Sequence, residues 1–281
     1  MSTQRAKELI KDNLSIPTLP AVVERISRMI EDPEMGTAEI GAAVGEDAPL
    51  AAKVLRIANS SYYGLRERCV STEQASGVLG VRVLKNVVTQ AAIIQKFAHL
   101  SEHPGFDIDE IWRHASLAGA ACQIIARRCR GKIGLTPEEF QVCGLLHDIG
   151  KVVMLDSLGD KYLDVYGESS STGEPLHAVE LRELGFNHTD VGAIIATHWS
   201  LPQEVASAIQ FHHGPREAVQ NDPIVALVAN ANLVCHRVAD DAMEAAEATL
   251  DAGTMEFLGI DPRMVPEIVA EIRAFHDQPA L

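Results

Sequence analysis

Aromatic residues are scarce in this chain: they make up 5% of its 281 residues, with two tryptophans, against 47% hydrophobic residues in all. The apolar content is therefore mostly Ala, Val, Ile and Leu, which favours packed helices over a sandwich of aromatic-rich strands. Strand-type alternation is lacking too, and no repeat of fixed period runs through the chain. The reading is an all-α fold, and the length suffices to bury a core without external staples.

Positive charge is also in short supply. Lys and Arg number 24 against 39 Asp and Glu, a formal charge of −15, and no basic stripe offsets it locally. Such a surface repels a phosphate backbone, so nucleic acid is not expected as a partner. The helical patterns over 37–44 and 48–58 mimic a helix-turn-helix. Their second helix offers only Lys53 and Arg56 as cations, beside Glu39, Glu46 and Asp47, which is no footprint for DNA.

The five cysteines, Cys69, Cys122, Cys129, Cys143 and Cys235, include no CxxC pair and sit mostly in apolar helical patterns, as thiols of a reducing compartment do. The first eleven residues lack the apolar stretch and cleavage site of a signal peptide. The longest apolar run, 223–234, is too short to span a bilayer and is interrupted by Asn230 and Asn232. A cytoplasmic protein with no membrane partner is expected.

Ile16-Pro17-Thr18-Leu19-Pro20 reads as an extended lead-in, because residues before proline avoid the helical region. Val22, Val23, Ile26, Met29 and Ile30 then share one helical face that ends at Asp32-Pro33. After the 37–44 helix, another starts behind Asp47, with Pro49 in its first turn, and stops at Tyr62-Tyr63-Gly64. Helical patterns follow over 72–79, 81–97 and 108–130. A helix over 138–147 runs into His147-Asp148-Ile149-Gly150-Lys151, with Gly150 as its terminator. Residues 167–173, with four consecutive Ser/Thr, read as a loop or hinge. Helices are expected beyond it over 177–184, 189–199, 202–213, 223–238 and 261–275. The implied organisation is two helical lobes, 14–100 and 108–215, and a helical extension over 216–281.

Histidine placement is the informative chemistry. His114, the pair His147-Asp148, His188 and the pair His212-His213 lie at the ends or on the faces of expected helices. A carboxylate beside an imidazole at the end of an apolar helix is costly to bury unless a cation or hydrogen bonds compensate. Imidazole with carboxylate suits a divalent transition ion. Asp148 is equally placed to pair with Lys151. His99, His103, His177, His198, His236 and His276 read as surface or hydrogen-bonded core residues.

Trp112-Arg113-His114 and Gly144-Leu145-Leu146-His147-Asp148-Ile149-Gly150-Lys151 resemble the two leading signatures of the HD metal-dependent phosphohydrolase superfamily. Leu19-Pro20, the run from Asp47 to Arg56 and Ala58-Asn59-Ser60-Ser61-Tyr62-Tyr63-Gly64 resemble the N-terminal pattern of its HDOD branch. Glu180, Leu184-Gly185, His188, Val191-Gly192-Ala193, Trp199-Ser200-Leu201-Pro202, Ala208-Ile209 and His212-His213 complete it. The resemblance covers roughly residues 14 to 215. It implies a five-helix HD-like lobe preceded by a helical lobe peculiar to HDOD proteins, in which catalysis has largely given way to regulation.

In catalytic relatives of the HD-GYP type, His114, His147, Asp148, His188, His212 and His213 would match metal ligands, for Fe, Mn or Zn. Lys151 would match a lysine that contacts the scissile phosphate, catalytic only in an active site. Two departures stand out. The closing aspartate of the superfamily is matched best by Asn230, in Val228-Ala229-Asn230, and an amide offers one neutral oxygen in place of a charge. His212-His213-Gly214-Pro215 also runs on without the Gly-Tyr-Pro loop. The function implied is a bacterial-type signal-transduction module, non-catalytic or weakly catalytic, acting through contacts with other signalling proteins or in a homo-oligomer. The alternative is a metal-dependent phosphohydrolase for cyclic nucleotides or nucleotide phosphates.

Overall fold

The structure, a computed structural model, describes residues 7–277 except 9, 13, 19, 33, 60–64, 103–106, 131–132, 215–218, 220 and 240–249. Leu19, Pro33, Ser60, Ser61, Tyr62, Tyr63, Gly64, His103 and Pro215, named above, lie outside the described residues. Among the described residues the chain is helical with no strand, as the apolar patterning requires. It divides into two compact units, one of residues 19–99 and one in which residues up to 18 join 100–276.

The 19–99 unit holds α1 (Ala21–Glu31), α2 (Thr37–Gly45), α3 (Ala48–Ala58) and α4 (Thr72–Lys96). Asp47 caps α3 by accepting from the Leu50 N–H at 3.0 Å, and Ser71 caps α4 through Gln74 N–H at 3.2 Å. Gly80, at φ 77° and ψ 161°, divides α4 into the two pieces the sequence shows, a conformation that costs a residue without Cβ little. Among the described residues α4 is long and apolar enough to cross a membrane, by length and composition. In this unit its Leu84, Val87, Val88 and Ala91 instead form the core, packed with Val23, Ile26, Ile40, Val44, Leu50 and Val54. Beyond α3, the Asn59 amide clasps the backbone of Cys69 from both sides: Nδ2 donates to the carbonyl and Oδ1 accepts from the N–H, each at 2.8 Å.

The 100–276 unit contains α5 (Ile108–Ala126), α6 (Pro137–Leu146), α7 (Ile149–Leu158), α8 (Asp160–Thr172), α9 (Leu176–Leu184), α10 (His188–His198), α11 (Gln203–Phe211), α12 (Pro223–Ala239), α13 (Ala252–Leu258) and α14 (Val265–His276). Helix α5 is buried without interruption from Leu117 to Ala126, and α6, α12 and α14 all pack on it. Helix α10 lies between α7 and α11, and α11 contacts α6 and α12. The lead-in is tied to this unit, because the Trp199 indole donates to the Pro17 carbonyl at 2.7 Å.

Two local expectations are corrected here. Gly150 does not terminate a helix: α6 ends at Leu146, and Gly150 lies in the first turn of α7. Residues 167–173 are not a loop, because α8 runs through Thr172 and stops at Gly173, φ 72°. Its hydroxyls fold back onto the helix's own carbonyls, Ser170 onto Tyr166 at 3.1 Å and Ser171 and Thr172 onto Glu168 at 3.0 and 2.8 Å. Serine and threonine satisfied in this way tolerate a helix that their propensity argues against.

Candidate metal centre

His147 and Asp148 occupy the two-residue break between α6 and α7. His147 keeps helical dihedrals, while Asp148 turns to φ −101° and ψ 11°, which ends one helix and aims the next. Both side chains point inward and are sealed off, at 0% and 2% exposure. Helix α7 reaches α10 because position 150 has no side chain: a Cβ there would stand 1.9 Å from the His188 carbonyl oxygen and 3.1 Å from Gly192 N. This approach carries His188, the first residue of α10, to the Asp148 carboxylate. The helix is capped by Asn187, whose side chain accepts from the N–H groups of Thr189 and Asp190. His212 follows the last turn of α11, and α5 brings His114.

Four histidines and Lys151 meet at the carboxylate of Asp148. Asp148 Oδ1 lies 3.4 Å from Nε2 of His188 and 3.4 Å from Nε2 of His212. Oδ2 lies 3.2 Å from Nε2 of His147, 3.6 Å from Nε2 of His114 and 2.6 Å from Nζ of Lys151. The His213 ring centroid stands 4.3 Å from that of His212. His213 can share an ion with Asp148, His188 and His212, while His114 and His147 can share one with Asp148. The structure thus brings together the six predicted ligands and Lys151.

The hydrogen-bond network assigns one tautomer to three of these rings. Nδ1–H of His147 donates to the Gly144 carbonyl at 2.6 Å, that of His188 to Glu180 Oε2 at 2.6 Å and that of His212 to the Ile209 carbonyl at 2.9 Å. Each neutral ring then turns its Nε2 lone pair toward Asp148. Those three Nε2 atoms and Asp148 Oδ1 are buried without a hydrogen-bond partner. Lone pairs facing a carboxylate oxygen at 3.2 to 3.4 Å repel it unless a cation lies among them. This donor set therefore fits a divalent metal.

Glu180 supports the centre from behind. Its Oε2 accepts from both Nδ1–H and backbone N–H of His188, at 2.6 and 2.9 Å, and its Oε1 accepts from Tyr162 at 2.7 Å. Such outer partners orient a ligating imidazole and raise its basicity. Electrostatics follow the burial. Desolvation pushes the Asp148 carboxyl up, but charge close to it, the Lys151 ammonium included, outweighs that and holds the group well below the usual carboxylate range. Burial lowers His212 to about 4 and His114 well below its ordinary value, against the pull of Asp148.

Asn230 is not at this centre. Its Nδ2 donates to the Ala226 carbonyl and to Thr254 Oγ1, both at 2.9 Å, and its Oδ1 accepts from Asp251 N–H at 3.0 Å. The amide at the cluster is that of Asn232, whose Oδ1 lies 2.9 Å from Nε2 of His114. Two residues turn a helix by about 200°, so the two asparagines face opposite ways. His236 and His177, read from the sequence as surface or hydrogen-bonded core residues, flank the cluster, stacked on His114 at 4.5 Å and on His213 at 4.4 Å. Helical spacing carried the signal: His236 follows Asn232 by four residues, and His177 precedes Glu180 by three.

Solved structures of similar fold bear on what this centre belongs to. An HDOD domain protein of unknown function from Geobacter sulfurreducens is 26% identical and superposes with a TM-score of 0.79, over 98% of this chain and 97% of that one. A protein of Marinobacter aquaeolei VT8, provisionally named a signal transduction protein, gives 0.76 at 21% identity, over 99% of this chain and 64% of that one. One of Shewanella amazonensis SB2B, provisionally named a phosphohydrolase, gives 0.74 at 20% identity, over 96% and 95%. At that identity the likeness shows the fold alone. An uncharacterized protein of Treponema pallidum (strain Nichols) is 26% identical over 219 residues, 78% of this chain, and the match spans 42% of that protein's length. The pattern of the HDOD domain covers residues 16–215, and with it the junction that holds His147 and Asp148: the chain belongs to the HDOD domain family.

Proposed function

We propose that this chain is a cytoplasmic regulatory module of signal transduction that holds one divalent transition ion and acts through protein contacts rather than by turnover. The observation that carries the metal is the convergence of three buried, partnerless atoms, Nε2 of His188 and His212 and Oδ1 of Asp148, in one ligand group with His213. Three nitrogens with one carboxylate favour Fe, Mn or Zn over Ca. An ion bound there would supply Lewis acidity and lower the pKa of a coordinated water. The chain's own residues supply one negative charge, that of Asp148, orient the rings and exclude solvent. Asp148 follows α6, His188 opens α10 and His212 follows α11, so the same ion would also brace three helix ends.

Against turnover stands the shortage of anionic ligands. Among the described residues the two ligand groups contain a single carboxylate, Asp148, and the nearby amide of Asn232 is neutral. Two-ion phosphoryl chemistry relies on charged oxygens to hold both cations. Output would then pass through surfaces offered to other signalling proteins or to a second copy of the chain. The −15 charge argues against nucleic acid as a partner, and a salt-sensitive, submicromolar duplex affinity in a gel shift would contradict that.

The second reading, a metal-dependent phosphohydrolase for cyclic nucleotides or nucleotide phosphates, is favoured by Lys151. Its side chain is 12% exposed and its ammonium lies beside Asp148, where it could meet a phosphoryl oxygen. The names of similarly folded proteins, signal transduction protein and phosphohydrolase, fall in these same two classes. The deciding experiment measures metal content of anaerobically purified protein, then turnover of cyclic dinucleotides and mononucleotides by the Mn- or Fe-loaded chain. We expect bound metal that His188→Ala loses, and no turnover that depends on His188. Turnover abolished by that substitution would establish the enzyme instead.

A further inference from the structure

The Asp148 carboxylate divides the histidine cluster into two halves. Oδ1 faces His188 and His212, both at 3.4 Å, and has no hydrogen-bond partner. Oδ2 faces His147 at 3.2 Å and His114 at 3.6 Å, and takes Nζ of Lys151 at 2.6 Å. The side chains able to share an ion divide along the same line, with His188, His212 and His213 on one side and His114 and His147 on the other.

Two contacts close the second half. Lys151, three residues on in the first turn of α7, brings a positive charge to Oδ2 from a side chain only 12% exposed. His114 Nε2 is engaged by the Asn232 amide at 2.9 Å. Whichever way that amide is turned, the ring nitrogen either donates to its oxygen or accepts from its nitrogen, so its lone pair is not offered to a metal. His147 alone keeps a partnerless Nε2 on that side. One lone pair and a carboxylate oxygen already paired with an ammonium make a poor site for a dication, which the ammonium also repels.

We infer that Lys151 is a tethered cation standing in place of a second metal ion, and that with His114 held by Asn232 the chain takes one ion, on the Oδ1 side. This rests on the reading that the cluster binds metal at all, and it adds the stoichiometry and the residues that enforce it. Lys151 acts here through Asp148, as a positioning residue, and its role shows in binding rather than in turnover.

The test uses the full chain, stripped of metal, kept anaerobic and titrated with Mn2+. Bound ion is counted by elemental analysis, and electron paramagnetic resonance distinguishes a lone Mn2+ from an exchange-coupled pair. The wild type should bind one ion per chain with a mononuclear signal, and Asn232→Asp alone should still bind one. Lys151→Met combined with Asn232→Asp should bind two and show the coupled pair. Two ions in the wild type or in Asn232→Asp would overturn the inference, as would a double variant of wild-type helicity that stays at one. Should the double variant fail to fold, Lys151→Met alone decides: a second ion bound at least tenfold tighter than in the wild type supports the inference, and an unchanged one overturns it. A wild type that binds no ion would overturn the metal reading itself, a distinct outcome that removes this inference with it.

Discussion

The Glu180 carboxylate grips His188 twice, at the ring Nδ1 and at the backbone N–H, 2.6 and 2.9 Å from the same oxygen. It therefore fixes both the tautomer of the ring and the start of α10. Glu180→Gln removes the charge that makes His188 a stronger donor, and loss of such outer partners typically lowers metal affinity by about 10–100-fold. Competition against a chelator should show a decrease of that size. Tyr162→Phe, which frees only Oε1, should show a smaller one.

Gly150 and Gly167 form a matched pair. A methyl at 150 would collide with the His188 carbonyl, whereas one at 167 meets nothing within 4 Å. Gly150→Ala must push α7 from α10 at a cost of roughly 1–3 kcal/mol or more, read as a drop of about 2–10 °C in Tm together with weaker metal binding. Gly167→Ala, inside α8, should stabilise by about 0.5–1 kcal/mol. Calorimetry of the two variants should give shifts of opposite sign.

Protons compete with folding at His212, whose ring is sealed from solvent and whose pKa burial lowers to about 4. In the unfolded chain a histidine titrates near about 6.5. Above that value neither state is protonated here. As pH falls below it the unfolded chain takes up a proton that the folded chain refuses, so stability declines until pH reaches about 4. The slope approaches roughly 1.4 kcal/mol per pH unit for this group. Carboxylates held low in the fold, Asp148 and Glu180 among them, lose their contribution as pH falls further. Urea unfolding of chelator-treated protein at about pH 7 and about pH 5 should show the decline, and His212→Asn should make it shallower, His114 keeping its own share. Metal affinity should fall over the same range, because the ligands must be unprotonated.

Asn59 makes the tie that returns the chain after α3. Asn59→Ala leaves the N–H and carbonyl of Cys69 without the two bonds that hold them, a loss of roughly 1–3 kcal/mol. The thiol of Cys69, now buried at 5% exposure, should then alkylate faster under native conditions. Cys122, Cys143 and Cys235, buried in the other unit, should keep the wild-type rate. Mass spectrometry after pulsed labelling separates the sites.

The sequence by itself determined the helical class and the interruption between 79 and 81, and its resemblance to the HD signatures named the six ligand candidates. Each of these is local: apolar spacing, and short motifs such as His147-Asp148. The two helices from 149 to 172 were not legible, because Val152-Val153-Met154-Leu155 has no polar face to mark a period and the Ser/Thr run reads as a breaker. Only the tertiary structure decided that Asn232 rather than Asn230 meets the cluster. Both lie in an apolar helix, and the face turned to the site is set by how α12 packs on α5, α6 and α11, not by any pattern within α12. The same holds for Glu180 behind His188. A hydrogen bond between residues on different elements depends on distances of tenths of an ångström, and those exist only once the helices have closed on one another.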